Sequence, residues 1–131
     1  MMLRGIRGAI TIDEDREEEV WSSTRVLLQS MQAQNGFLPE DIASVFFSVT
    51  PDIRSAFPAV AARAMGWDRV PLLCFQEIDV PGALALCIRV LIHVNSSKSQ
   101  DDIRHVYLKG ARSLRPDLSD DQSRNNQGSC S

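Results

Sequence analysis

Residues 87–95 constrain the fold more than any other stretch, because they form an apolar run of strand-forming residues with one arginine inside it. Read with the period of two of a β-strand, the run separates into two faces. One face carries Ile88, Val90, Ile92 and Val94, and the other carries Cys87, Arg89, Leu91 and His93. The pattern predicts a core face and an opposite face that presents a guanidinium. Because a charge among apolar neighbours is costly unless an anion pairs with it, we expect Arg89 to have an anionic partner.

Strand-forming and helix-forming segments alternate along the rest of the chain. Five strands are expected, at residues 3–12, 43–50, 70–75, 87–95 and 104–109. A long amphipathic helix is expected to begin in the acidic run 13–19 and to end near Gly36. Short helices are expected at 58–65 and from residue 81 or 82 to about 86. This order predicts an α/β (α+β) fold, a mixed β-sheet with one long and two short helices packed on it.

Length and charge bound the organisation and the function class. The 131 residues are expected to form one domain at 1–118, followed by a flexible C-terminal tail at 119–131 whose polar composition buries too little surface to fold alone. The net charge of −3 argues against a nucleic-acid partner. No apolar run approaches the roughly 20 residues that span a bilayer, so no membrane partner is expected. The N-terminus lacks the long apolar centre of a signal peptide, and a cytoplasmic protein is expected.

No metal and no cofactor are expected. The three cysteines, Cys74, Cys87 and Cys130, form no CxxC pair, and His93 and His105 are the only histidines. The chain also lacks a GxGxxG or Walker-type loop. Cys74 and His105 are the one conceivable nucleophile and base, but nothing in the local sequence activates the thiol, and a small packing cysteine is the favoured interpretation.

Cationic side chains are the remaining candidates for binding and catalysis. Arg7 and Arg89 lie on the less apolar faces of their predicted strands, Tyr107 lies on a neighbouring strand, and Arg63 and Arg115 lie near a helix and the tail. The planar fork of arginine binds carboxylates through two parallel hydrogen bonds and keeps its charge. Several such groups around one pocket suit a small organic acid with two negative charges. The alternative is that the arginines form surface salt bridges, which the apolar surroundings of Arg89 disfavour.

Seven segments of the chain resemble the monofunctional AroH-type chorismate mutases. They are residues 2–11, 48–53, 56–59, 69–74, 87–90, 103–108 and 114–118, and they follow one another with their spacing intact. The resemblance implies a pseudo-α/β-barrel homotrimer with active sites in the clefts between subunits. It implies the rearrangement of chorismate to prephenate, the branch step of phenylalanine and tyrosine biosynthesis. That concerted, unimolecular reaction needs no acid, base, metal or covalent intermediate.

The resemblance also implies a role for each site residue. Arg89 would face the ether oxygen of chorismate and touch a carboxylate, Arg7 and Tyr107 would hold the side-chain carboxylate, and Glu77 with the backbone of Cys74 would take the ring hydroxyl. An apolar wall supplied across the subunit boundary would consist of Phe57, Ala59, Leu72 and Leu73. The residues over the mouth would be Arg63, Leu114 and Arg115, with the tail ordering as ligand binds.

One position departs from the family pattern, because Val60 stands where some members carry a lysine. A charged contact to the ring carboxylate is then missing, and Arg63 or Arg115 is expected to compensate for it. Two alternatives to a mutase are a trimeric small-carboxylate-binding protein of similar fold and a protein-interaction module. Arg89 and Tyr107 together favour the mutase, because an interaction module has no need for a buried arginine on a strand.

Overall fold

Five strands form one mixed sheet in the computed structural model, which describes residues 1–115. In chain order they are β1 (Met2–Thr11), β2 (Ile42–Val49), β3 (Leu72–Gln76), β4 (Cys87–Ser96) and β5 (Val106–Leu108). Their order across the sheet is β3-β2-β4-β1-β5. β4 is antiparallel to both of its neighbours, whereas β3 is parallel to β2 and β5 is parallel to β1. The predicted mixed sheet is confirmed, and the predicted tail at 119–131 lies outside the described residues.

Two α-helices, α1 (Glu17–Asn35) and α2 (Ala59–Ala64), contribute to the core of this sheet. The described residues also form short 3-10 helices at Pro39–Asp41, Gln100–Asp102 and Lys109–Leu114. The first turn of α1 is acidic, which suits the partial positive charge of a helix N-terminus, and the helix ends at Gly36 with a left-handed φ of 69°. Within residues 1–115, no helix is both long enough and apolar enough to cross a bilayer.

The main core lies between α1 and one face of the sheet. The aliphatic face of β4 is confirmed as a core face, because its four side chains are at most 3% exposed: Ile88, Val90, Ile92 and Val94. They share a hydrophobic cluster with Leu27 and Met31 of α1. A Cβ atom at Gly8 of β1 would come within 2.5 Å of the Met31 Sδ. The absence of a side chain at Gly8 therefore allows α1 to pack close to the strand.

The opposite face of the sheet, called the open face below, is only partly covered within residues 1–115. Leu73 and Phe75 of the edge strand β3 are 57% and 50% exposed. At one end of the open face, residues of the sheet, of the last 3-10 helix and of the loop ahead of β4 form a second small cluster. Its buried members are Ala9, Cys87, Tyr107 and Ala111, and Leu84 and Leu114 pack against them. The open face thus combines exposed apolar side chains with one buried corner.

The predicted short helix at about 81–86 is wrong, because these residues form turns and bends. Gly82 has a φ of 83° and Leu86 has a φ of 49°, and such left-handed values do not fit a right-handed helix. The amide of Leu86 donates to both carboxylate oxygens of Asp52, at 3.0 and 3.2 Å. This contact joins segments 34 positions apart, so local helix propensity does not decide the conformation.

Most element boundaries differ from the predicted ones by one or two residues, and the last strand is shortened at both ends. The helix α1 begins at Glu17, inside the predicted acidic run 13–19, and the Glu19 carboxylate accepts the Asp13 amide at 2.5 Å ahead of the helix. The last strand is Val106–Leu108 and is shorter than predicted, since Lys109 has a φ of 53° and begins a 3-10 helix. The shorter strand nevertheless keeps Tyr107 in the sheet.

Candidate active site

The four predicted catalytic residues line one cavity of about 260 Å³ on the open face. They come from different parts of the chain: Arg7 from β1, Arg89 from β4, Tyr107 from β5, and Glu77 from the residue after β3. Pairing across the sheet explains the convergence, because Ala9 lies opposite both Arg89 and Tyr107. The strand order therefore joins side chains that are up to 100 positions apart.

Arg89 lies in the middle of the sheet and forms an ion pair with Glu77. The distance from Arg89 Nε to Glu77 Oε1 is 3.4 Å, and the two side chains are 35% and 26% exposed. The contact does not have hydrogen-bond geometry, and the buried Nε has no hydrogen-bond partner among residues 1–115. Glu77 is held at the end of β3 by its amide, which donates to the Val49 carbonyl at 2.8 Å. The expected anionic partner is thus present, but it leaves donor capacity on the guanidinium.

Arg7 and Tyr107 present further donors to the same cavity. Tyr107 is buried, and its hydroxyl has no hydrogen-bond partner among residues 1–115. A buried polar group without a partner is costly and rare. The Arg7 side chain is exposed, while its backbone amide donates to Nδ1 of His105 at 3.0 Å. The cavity therefore combines the guanidinium groups of Arg7 and Arg89 with the Tyr107 hydroxyl and the Glu77 carboxylate.

A second cavity of about 550 Å³ holds another part of the predicted site. Phe57, Val60 and Cys74 line it, and Phe57 is 69% exposed. These residues do not line the cavity of Arg89, although Phe75 lines both cavities. Within one chain the predicted catalytic residues and these three predicted binding residues thus line different cavities.

The remaining predicted site residues lie outside the linings of both cavities. Ala59 is buried at the start of α2, and Leu72 is partly buried against the core. Leu73 is exposed on the open face, Arg63 is exposed on α2, and Leu114 packs on the cluster around Tyr107. Arg115 is partly buried just after the last 3-10 helix. None of these six residues therefore lines the cavity of Arg89 within one chain.

Both cavities also contain residues that were not among the sequence-predicted site residues. Phe46 and Ser48 line the cavity of Arg89, and Ser48 lies opposite Arg89 in the sheet. Their alternation along β2 with the buried Val45 and Phe47 was the signal that places them on the open face. Arg54 lines the second cavity, and no pattern in its loop indicated that position.

The environment of Cys87, which lies two positions before Arg89 on the same face of β4, disfavours ionisation of its thiol. Burial raises the pKa of Cys87 to about 11, and the neighbouring Arg89 offsets only part of that effect. The thiol is therefore protonated at neutral pH and is a poor nucleophile. Among residues 1–115, no group of three or more His, Cys, Asp or Glu side chains is placed to hold a metal ion. The described side chains offer charge and hydrogen bonds to a bound anion.

Comparison with known proteins gives one consistent result. The family model described as chorismate mutase type I matches residues 3–118. The chain is 49% identical to chorismate mutase AroH of Bacillus subtilis (strain 168), over 91% of this chain and 94% of that protein. It is 53% identical to chorismate mutase AroH of Thermus thermophilus, over 89% of this chain and 97% of that protein. The solved chorismate mutase from Clostridium thermocellum superposes with a TM-score of 0.84 and 50% identity, over 85% of this chain and 99% of that one. This chain is a member of the chorismate mutase type I family.

Proposed function

We propose that this family member converts chorismate to prephenate in the cavity that holds Arg89. The observation that carries the proposal is the position of the Arg89 guanidinium, which lies in mid-sheet beside Arg7 and Tyr107 with its Nε lacking a hydrogen-bond partner among residues 1–115. Chorismate is a dicarboxylate whose rearrangement breaks an ether bond, and negative charge develops on the ether oxygen as that bond breaks. A preorganised cation at this oxygen stabilises the transition state more than the ground state.

The reaction is unimolecular and concerted, so the side chains act by restraint and by electrostatics. Arg7 and Tyr107 bind the side-chain carboxylate and favour the compact conformer in which the reacting carbons meet. Arg89 donates to the ether oxygen and to a carboxylate. Glu77, together with the Cys74 backbone, accepts the ring hydroxyl. The long Arg89–Glu77 contact of 3.4 Å is consistent with an exchange in which both residues transfer their interactions to the substrate.

The second cavity is proposed to complete the site from a neighbouring copy in a homotrimer. Leu73 and Phe75 on the open face and Ile78 in the following loop are at least 50% exposed, which favours burial against another subunit. In that arrangement the apolar wall of Phe57, Ala59, Leu72 and Leu73 meets the cavity of Arg89. Val60 replaces a lysine of other members beside this wall, and Arg63, Leu114 and Arg115 lie over the mouth of the cavity. A cytoplasmic location also stays a prediction.

The proposal is tested with the purified protein and chorismate. The loss of chorismate absorbance and the formation of prephenate are followed together, and light scattering reports the mass of the assembly. We expect turnover far above the spontaneous rate and the mass of three chains. Chorismate binding without turnover would contradict the proposal and favour a carboxylate-binding protein of the same fold. An active monomer would contradict only the shared site.

A further inference from the structure

We propose that Thr50 and Asp52 are positioning residues that hold Arg89 and Glu77 in their working geometry. The inference rests on the proposed function, since it explains how the catalytic side chains Arg89 and Glu77 are kept in place. Thr50 and Asp52 follow directly after β2, outside the cavity that contains the four catalytic side chains. Their contacts lie where β2 meets the start of β4.

The Thr50 side chain is almost fully buried, and both hydrogen-bonding functions of its hydroxyl are used. Its Oγ1 accepts the Cys87 amide at 2.9 Å and donates to Asp52 Oδ1 at 2.5 Å. The backbone amide of Thr50 also donates to the Cys87 carbonyl at 3.1 Å. Thr50 therefore binds both backbone groups of Cys87, the first residue of β4.

Asp52 extends the same network to the loop ahead of β4. Its two carboxylate oxygens accept the Leu86 amide at 3.0 and 3.2 Å. Leu86 has a left-handed φ of 49°, a strained conformation for a residue with a side chain. The Leu86 carbonyl in turn accepts the Ile12 amide at 2.9 Å. Asp52 thus supports the strained turn that directs the chain into β4.

The network is separated from Arg89 and from Glu77 by only one or two residues. Arg89 is two positions beyond Cys87, so its side chain leaves the same face of β4. Glu77 is held by the carbonyl of Val49, the residue before Thr50. A shift between β2 and β4 at Thr50 changes the Arg89–Glu77 distance directly. Displacements of about 1 Å cost up to about a hundredfold in rate when they misalign a catalytic group.

A merely structural role for Thr50 is the competing explanation, and Thr24 provides the matched control. Thr24 is also buried, and its hydroxyl donates to the Val20 carbonyl at 2.7 Å inside α1, outside the lining of the Arg89 cavity. The variants Thr50→Val and Thr24→Val each remove one buried hydroxyl at nearly constant volume. Thr50→Ser restores the hydroxyl. All variants are assayed for prephenate formation at a temperature where circular dichroism shows them folded.

We expect Thr50→Val to lower kcat about tenfold or more, with KM changed by less than about threefold, and Thr50→Ser to recover most of the loss. Thr24→Val is expected to keep the wild-type kcat, even if its thermal unfolding midpoint falls as far as that of Thr50→Val. Equal kcat in the two valine variants, or no recovery by serine, would overturn the inference. If Thr50→Val does not fold, Asp52→Asn replaces it, and an unchanged kcat there would overturn the inference. An inactive wild type would instead overturn the proposed function and this inference with it.

Discussion

The Nε atom of Arg89 lies 3.4 Å from Oε1 of Glu77, close enough for an ion pair and without hydrogen-bond geometry. The carboxylate offsets part of the cost of placing a guanidinium among the apolar neighbours on β4. A short bidentate pair would bind the guanidinium fully and compete with an anionic substrate. The observed pair compensates the charge in the free protein and leaves donors for a ligand.

The first prediction concerns Glu77. If its carboxylate accepts the ring hydroxyl, Glu77→Ala removes that acceptor and leaves Arg89 unpaired, whereas Glu77→Gln keeps one acceptor oxygen. We expect the lower kcat/KM of the alanine variant to correspond to a loss of about 2–3 kcal/mol of transition-state stabilisation, and the loss in the glutamine variant to be clearly smaller. Steady-state kinetics on chorismate measure both values. Equal losses in the two variants would contradict the acceptor role.

Tyr107→Phe is expected to have opposite effects on stability and on binding. The hydroxyl is buried without a partner among residues 1–115, so its removal should leave the free energy of unfolding unchanged or slightly higher. The variant should nevertheless bind chorismate more weakly, with KM raised about tenfold for the loss of one charge-assisted hydrogen bond. Urea unfolding and steady-state kinetics test the two halves. A large loss of stability without ligand would contradict this account of Tyr107.

Gly8→Ala tests the packing of α1 on β1. The new Cβ atom would lie 2.5 Å from the Met31 Sδ, so we expect a loss of about 1–3 kcal/mol in the free energy of unfolding. Gly5→Ala on the same strand is the control, because its Cβ atom would lie 3.5 Å from the nearest atom, Leu91 Cδ1. Urea unfolding compares the two. Equal stabilities would show that the helix moves away at no cost.

Asp15 should make stability depend on pH at the acidic end. Its interaction with the Ser55 side chain is the largest influence that lowers the pKa of Asp15, although that hydroxyl makes no contact with full hydrogen-bond geometry within residues 1–115. The amides of Arg54 and Ser55 lower the pKa further and bind the carboxylate at 2.9 and 3.1 Å, while burial opposes the shift. Because the folded pKa lies below the ordinary 3.8, the stabilisation is complete above that value and is lost as pH falls through the folded pKa.

The measurement for Asp15 is urea unfolding of wild type and Asp15→Asn across pH. We expect the difference in stability between them to be constant from neutral pH down to about pH 5 and to shrink below it. A difference that grows on acidification would contradict the assignment. The contact matters for the site because it anchors the segment that leads to Phe57 in the second cavity.

The sequence was sufficient to assign the two faces of β4, because the alternating aliphatic residues around Arg89 are buried only when their face of the strand packs on the core. The sequence pattern predicted a helix wrongly at residues 81–86, because the contact between Asp52 and Leu86 determines the backbone conformation there. Spacing along the chain also did not reveal that Arg7, Glu77, Arg89 and Tyr107 share a cavity, because the strand order decides that. The resemblance supplied the grouping, and the pairing of Ala9 with Arg89 and Tyr107 explains it.

The most direct test of the central claim is the rate of prephenate formation by Arg89→Lys. Lysine keeps the charge and loses the planar fork, so we expect the fall in kcat/KM to correspond to a loss of about 3–4 kcal/mol of transition-state stabilisation. The free energy of unfolding is expected to stay near that of the wild type. Arg25→Lys on the exposed surface of α1 is the control and should keep full activity. A folded Arg89→Lys variant with wild-type turnover would contradict the assignment of Arg89 as the main catalytic group.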